Sequence, residues 1–240
     1  MRKIKRYGWK PSLPHNVKKY SSCHEFVAEL PALIDLRSHC PAVYDQGDLG
    51  SCTANGIAGA IQFVQPDVMP SRLFIYYNER GIEGDPDQDG GAEIHDGIQS
   101  ISKQGACAET EWPYDISQFA VCPPEQCYTD ALKDLIKDYS SLDNNNDIKQ
   151  ALHAGYPVVF GMTVYESFES PEVASTGMVP MPASSEEVIG GHCMLIVGYD
   201  DEKQCFIVRN SWGASWGISG YCYIPYLYIS QFASDFWTIS

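Results

Sequence analysis

The stretch that decides the reading is Gln46–Ala54, QGDLGSCTA. Beyond it, Ile57, Ala58, Ile61, Phe63 and Val64 recur with the mixed three-and-four spacing of a buried helix. A glycine-rich turn therefore passes into a helix beside Cys52. Unsatisfied N–H groups and the positive end of the helix dipole at that point favour a thiolate, the reactive form of the side chain. The alternative is a cysteine serving as a small buried hydrophobe.

Working outward, Ser71 is a good N-cap for a second helix through Leu73, Phe74 and Tyr77, and Ala92 to Lys103, closed by Gly105, suits a third. After a short helix from Asp147 to Ala154, closed by Gly155, the pattern changes. Pro157 to Tyr165 (PVVFGMTVY), His192 to Tyr199, Gln204 to Asn210 and Gly220 to Ile224 read as strands. Helices followed by a run of strands indicate an α+β protein of two lobes with a cleft between them. The expected division is an N-terminal arm over 1–30, a mostly helical lobe over 31–130 and a β-rich lobe over 131–240. The arm contains Trp9, Pro11 and Pro14 and no sustained helical period, so it is expected to be extended, pinned by its aromatics.

The 240 residues, 44% hydrophobic with five Trp, fifteen Tyr and nine Phe, are enough for a sizeable core. The net charge of −15 argues against a nucleic-acid partner. Its distribution is uneven: seven of the sixteen basic residues lie in the first twenty positions, where no Asp or Glu occurs. The remaining nine basic against thirty-one acidic side chains leave a body of −22. Arm and body are expected to attract. The basic start lacks the apolar run of a signal peptide and no segment approaches membrane-spanning length, so no membrane partner is expected and localisation stays open. Of nine cysteines, Cys122 and Cys127 form the best local pair for a disulfide; no second pair at zinc-finger spacing follows, and no metal or cofactor is expected.

The strands HCMLIVGY and QCFIVRN are joined by Asp200 to Lys203, as in a hairpin. With the turn centred on residue 201, His192 stands opposite Asn210. Cross-strand partners are close enough for side-chain contact, and an amide oxygen holding an imidazole in one tautomer gives it the orientation a base needs.

Three motifs, QGDLGSCTA at Gln46, GGHCMLIVGYD around His192 and NSWGASWGISGY from Asn210, together resemble the papain-like cysteine peptidases, in the compact form found in microbes and large DNA viruses. His192 follows Cys52 by 140 residues and Asn210 follows it by 158, near the family's separations. The resemblance runs roughly from Pro31, in LPALIDLR, through Ile224. It implies a two-lobed fold with a helical lobe and an antiparallel, barrel-like β lobe. It implies Cys52 as nucleophile, His192 as general base and acid, Asn210 as its orienting partner, Trp212 as a shelter for that bond, and Gln46 as an oxyanion donor. Gly90 and Gly91 would let a substrate backbone approach, with Gly191 and Trp212 also at the substrate. Three positions depart from the family: Thr53 replaces an aromatic residue, Leu49 a cysteine, and Gly191 an aspartate.

Asp85–Asp96, DPDQDGGAEIHD, also matches a calcium loop at its first, third, fifth and sixth places, but with Asp96 at the twelfth and Pro86 at the second. Family precedent also suggests that a short arm can restrict the cleft, and that Cys23 can bond Cys52 as an inhibitory thiol. The expected function is hydrolysis of peptide bonds by a monomeric enzyme acting on protein or peptide substrates, made as a zymogen. The alternatives are acyl transfer by the same triad, a silent peptide-binding scaffold, and a calcium-stabilised binding module.

Overall fold

The computed structural model describes residues 7–12, 17–20, 27, 29–133, 135–136 and 138–239. The first predicted helix is α1, Cys52–Val64, and it begins at the cysteine. Every residue from Cys52 to Ile61 is buried, as expected of a helix that is small and apolar all round. Gly56 is what lets it come so near the sheet: a methyl group there would stand 3.0 Å from Cys193 Sγ. Glycine costs a helix about 1 kcal/mol against alanine, and the close packing it permits offsets that cost.

Helix α2, Arg72–Glu83, starts where the Ser71 hydroxyl accepts the Phe74 N–H and stops at Gly84 in the left-handed conformation. Helix α3, Ile94–Gln104, ends at Gly105 as expected but begins two residues later than Ala92. The reason is that Ala92–Glu93 form a short strand, β3, paired in parallel with β1, Trp9–Lys10, from the arm.

After a short helix α4 (Glu125–Ala131), the second half supplies β4 (Tyr139–Leu142), α5 (Asn145–His153), β5 (Val158–Tyr165), α6 (Pro171–Thr176), β6 (Val188–Asp200), β7 (Cys205–Arg209) and β8 (Tyr221–Pro225). A helix α7, Tyr226–Phe232, then leads into a strand β9, Ala233–Ile239, that the sequence pattern did not predict. The sheet runs β4-β9-β5-β6-β7-β8, with β2 (Leu33–Asp35) also on β6, and its pairs are antiparallel.

The expected barrel-like closure is corrected here: among the described residues β8 does not pair back to β4, and the sheet is open. It needs no closure because both faces are covered. Side chains alternate along each strand. Val159, Cys193, Leu195, Val197, Ile207 and Trp237 join one core with α1 to α3, while Val158, Phe160, Met194, Ile196, Phe206 and Val208 join another with α5 and α7. Helix α1 thus lies directly on β6, which brings Cys52 to the strand that carries His192. No helix among the described residues is long and apolar enough to cross a membrane.

Candidate active site

Cys52 is fully buried at the first turn of α1. The helix start was expected to lower its thiol pKa, and this expectation is corrected: burial pushes the thiol up to about 12, although backbone N–H groups of Cys193, Gly8 and Thr53 pull the other way. Desolvation of a thiolate exceeds what a few backbone donors return.

His192 is fully buried on β6, and its Nε2 lies 2.8 Å from Asn210 Oδ1. The same oxygen accepts the Ser211 backbone N–H at 2.8 Å, which fixes the amide's orientation. Oδ1 being the acceptor, Nε2 carries the proton and Nδ1 is left with a free lone pair; Nδ1 has no hydrogen-bond partner among the described residues. Burial pulls the imidazole down to about 4, against the hydrogen bond it donates to Asn210, which raises it. The Trp212 ring covers His192 with centroids 4.9 Å apart.

The direct cross-strand opposition of His192 and Asn210 is corrected. Leu195 pairs with Arg209, because the turn centres further along than residue 201 and a bulge interrupts the ladder between Ile196 and Gly198. The register near the site is displaced by two residues, which preserves the face of the sheet, so the two side chains meet diagonally.

Gln46 is also fully buried. Its Nε2 donates to the Leu49 carbonyl at 2.9 Å, and its Oε1 accepts from the Ser211 hydroxyl at 2.6 Å. The Gln46 N–H donates to the Ser211 carbonyl at 2.9 Å, tying the Cys52 loop to the segment after Asn210. The four residues expected to work together thus sit where the start of α1 meets β6 and the segment after β7. The arrangement has the parts for acyl chemistry: a thiol at a helix start, an oriented base and a rigid amide.

The arm occupies this site. The Tyr7 ring stands edge-on to His192, centroids 5.7 Å apart, and its hydroxyl donates to Glu169. The Gly8 carbonyl accepts the Ala92 N–H at 2.7 Å. Trp9 is buried, its Nε1 donating to Asp235 at 3.2 Å, and Asp235 also takes the Ser12 N–H at 2.7 Å. Methyl groups built on Gly91 and Gly191 would stand 2.1 Å from the Gly8 carbonyl oxygen and 2.6 Å from the Trp9 carbonyl oxygen, and one on Gly90 3.7 Å from Lys10 Nζ. The positions expected to meet substrate therefore meet the arm instead. Charge attraction holds as expected: Lys10 pairs with Glu83, and Lys19 with Asp143 at 2.5 Å.

Residues 30–229 match the model of the papain family cysteine proteases. The chain belongs to the papain family. This papain-family chain is 47% identical to an uncharacterized peptidase C1-like protein of Acanthamoeba polyphaga mimivirus, over 81% of this chain and 68% of that one. It is 26% identical to cysteine proteinase 3 of Dictyostelium discoideum, of which it covers 54%. Its fold superposes on xylellain, a cysteine protease from Xylella fastidiosa, with a TM-score of 0.89 and 40% identity, covering 100% of this chain and 97% of that one.

Where this member departs from the family pattern, the packing differs accordingly. Thr53 donates to the fully buried Glu79 at 2.5 Å. Arg80 argues against the calcium alternative for Asp85–Asp96: its guanidinium donates to the carbonyls of Pro86 and Gln88, the latter at 2.9 Å, and brings a protein cation to the loop. Asp89 is spent on the Gly50 N–H at 3.0 Å and the Tyr76 hydroxyl at 2.6 Å. The Cys122–Cys127 pairing is corrected too: Cys122 lies near Tyr128, while Cys127 faces Cys107. Cys23 lies outside the described residues.

Sequence reasoning missed Glu169, Ser211 and Asp235. Ser211 follows Asn210 directly and was within reach of motif reading. Glu169 and Asp235 act on the arm from positions far along the chain, and nothing local marks them.

Proposed function

We propose that this chain is a cysteine peptidase that hydrolyses peptide bonds through an acyl-enzyme, held closed by its own arm, with a helical lobe before about residue 130 and a β-rich lobe after it. The observation that carries the chemistry is the His192 Nε2 to Asn210 Oδ1 bond, which leaves Nδ1 as the base beside the start of α1. In the open cleft the Cys52 thiol gives its proton to Nδ1 and the thiolate attacks the substrate carbonyl. The oxyanion takes hydrogen bonds from the Gln46 amide and the Cys52 N–H. Collapse expels the amine, which takes the proton from the imidazolium. Water, deprotonated by neutral His192, then cleaves the thioester and restores the thiol.

The arm is a poor substrate for that machinery. At Gly8 it presents an N–H to the Cys52 sulfur, while the Gly8 carbonyl is turned to Ala92. Among the described residues of the arm, the Gly8 N–H is the group turned to the thiol. The closed arm also keeps the pair neutral, with the thiol raised to about 12 and the imidazole lowered to about 4, both by desolvation.

The test is hydrolysis of a fluorogenic peptide library by a Gly8→Ala protein, whose arm cannot seat, with and without Cys52→Ala. Cleavage that disappears with Cys52→Ala is expected. Cleavage that survives Cys52→Ala, or none in either protein, contradicts the reading.

A further inference from the structure

Away from the cleft, three ligating atoms converge where the loop after α3 meets α4, Glu125–Ala131. Cys107 Sγ, Cys127 Sγ and a Glu111 carboxylate oxygen all lie within 4.8 Å of one another. Both cysteines are buried and both are free thiols, while Glu111 is exposed and borders the group on the solvent side. The chain holds these groups from separate points. The Cys107 carbonyl accepts the Ser71 N–H at 2.7 Å at the cap of α2; the Glu111 N–H closes a turn onto Ala108 at 2.9 Å; the Cys127 N–H bonds Pro124 at 2.9 Å.

The neighbouring carboxylate, Glu109, is taken by Arg72 in an ion pair. Glu111 has no ion pair among the described residues. The group is therefore a cluster of atoms that each carry negative charge when deprotonated, without a protein cation to balance them. Brought this close together, such charges repel one another. A bound cation reverses that balance, because it makes the deprotonated form of every member favourable.

We propose that Cys107, Cys127 and Glu111 bind a divalent cation of the zinc class, with water at the fourth position. Two thiolates select a borderline or soft metal over calcium or magnesium. Zinc–sulfur bonds of about 2.3 Å in a tetrahedron place two sulfurs about 3.8 Å apart, and a carboxylate oxygen bonds zinc at about 2.0–2.2 Å. The limit of 4.8 Å on the separations of the three ligand atoms accommodates that tetrahedron. A disulfide would require the sulfurs at about 2.0 Å and would give the carboxylate no part. Binding releases two thiol protons to solvent. The ion would staple the 105–112 loop to α4 and, through the Cys107 carbonyl, to the start of α2. The Cys122–Cys127 spacing does not point to such a site, because Cys107 stands upstream of both.

The test is the metal content of the full-length protein, grown with zinc and purified without chelator or reductant, followed by replacement with cobalt(II). One equivalent of zinc and a near-ultraviolet thiolate-to-cobalt absorption are expected, with Cys107 and Cys127 protected from alkylation until the metal is chelated. Glu111→Gln, on the surface and therefore tolerable to the fold, should weaken zinc binding about tenfold or more while keeping the thiolate band. Metal-free protein with two free thiols overturns the proposal. So does a Cys107–Cys127 disulfide detected by peptide mapping, and so does zinc affinity unchanged in Glu111→Gln.

Discussion

Asn210 Oδ1 serves two donors at once: His192 Nε2 at 2.8 Å and the Ser211 backbone N–H at 2.8 Å. The second bond keeps the amide from flipping, so the first always finds an oxygen. Asn210→Ala removes the acceptor and frees the imidazole to rotate or change tautomer. In a Gly8→Ala background, kcat should fall on the order of tenfold, the rate equivalent of about 1.4 kcal/mol. The hydrogen bond raises the His192 pKa, so the acid limb of the pH–rate profile should also move to lower pH. Rate measurements between pH 4 and 8 check both.

Gln46 is held at both ends of its amide, by Leu49 and Ser211. A rigid donor contributes mainly where charge develops in the transition state. Gln46→Ala should therefore lower kcat about a hundredfold with little change in KM. A loss confined to KM would assign Gln46 to ground-state binding.

Glu79 is fully buried beneath the nucleophile's helix, and burial raises its carboxyl to about 8 from an ordinary 4.5, against the Thr53 hydrogen bond and Arg80. Glu83 and Asp96 add to the rise. The unfolded chain loses this proton near pH 4.5 and the folded chain keeps it to about 8. The stability tied to the neutral carboxyl is thus fully present below pH 4.5 and is lost as pH rises through 8. Urea unfolding at pH 5 and pH 8.5 should show a large loss in the natural protein and a much smaller one in Glu79→Gln.

Trp9 anchors the arm by filling a slot whose walls, Gly161 and Gly191, leave no room for a methyl group beside the indole. Asp235 accepts its N–H. Losing a buried tryptophan side chain costs about 3–5 kcal/mol in a protein core. Trp9→Ala should release the arm to limited proteolysis within the first twelve residues, at a rate clearly above that of the intact chain. Equal rates would place the hold on the arm elsewhere.

Much of the α1 end of the site was legible in the sequence, since a cap, a glycine turn and a helical period are local signals. Cys52 opens α1 and Ser71 caps α2 as read. The His192–Asn210 encounter was legible for a different reason: a register error of two residues leaves side chains on the same face. What stayed hidden depends on distant chain segments. Strand β9 forms between β4 and β5 although its sequence, ASDFWTI, has no clean alternation. Asp235 has no partner until Trp9 arrives from the other end of the chain. The Cys52 pKa was misjudged because a helix terminus is visible in sequence, while the burial that outweighs it is a tertiary property.

The proposed closure by the arm can be probed at one of its closest approaches to the nucleophile's loop. A methyl group on Gly8 would lie 1.6 Å from the Gly50 carbonyl oxygen, two residues before the nucleophile. Gly8→Ala therefore cannot seat in the cleft; the clash falls between the arm and the Gly50 loop, outside the two hydrophobic cores of the body. The direct measurement is the rate at which iodoacetamide labels Cys52 at pH 7, followed by peptide mass spectrometry, in the intact chain and in Gly8→Ala. A buried thiol that becomes accessible beside a free imidazole should label at least about a hundredfold faster, because burial no longer raises its pKa. Equal labelling rates, with both proteins folded, would contradict the account.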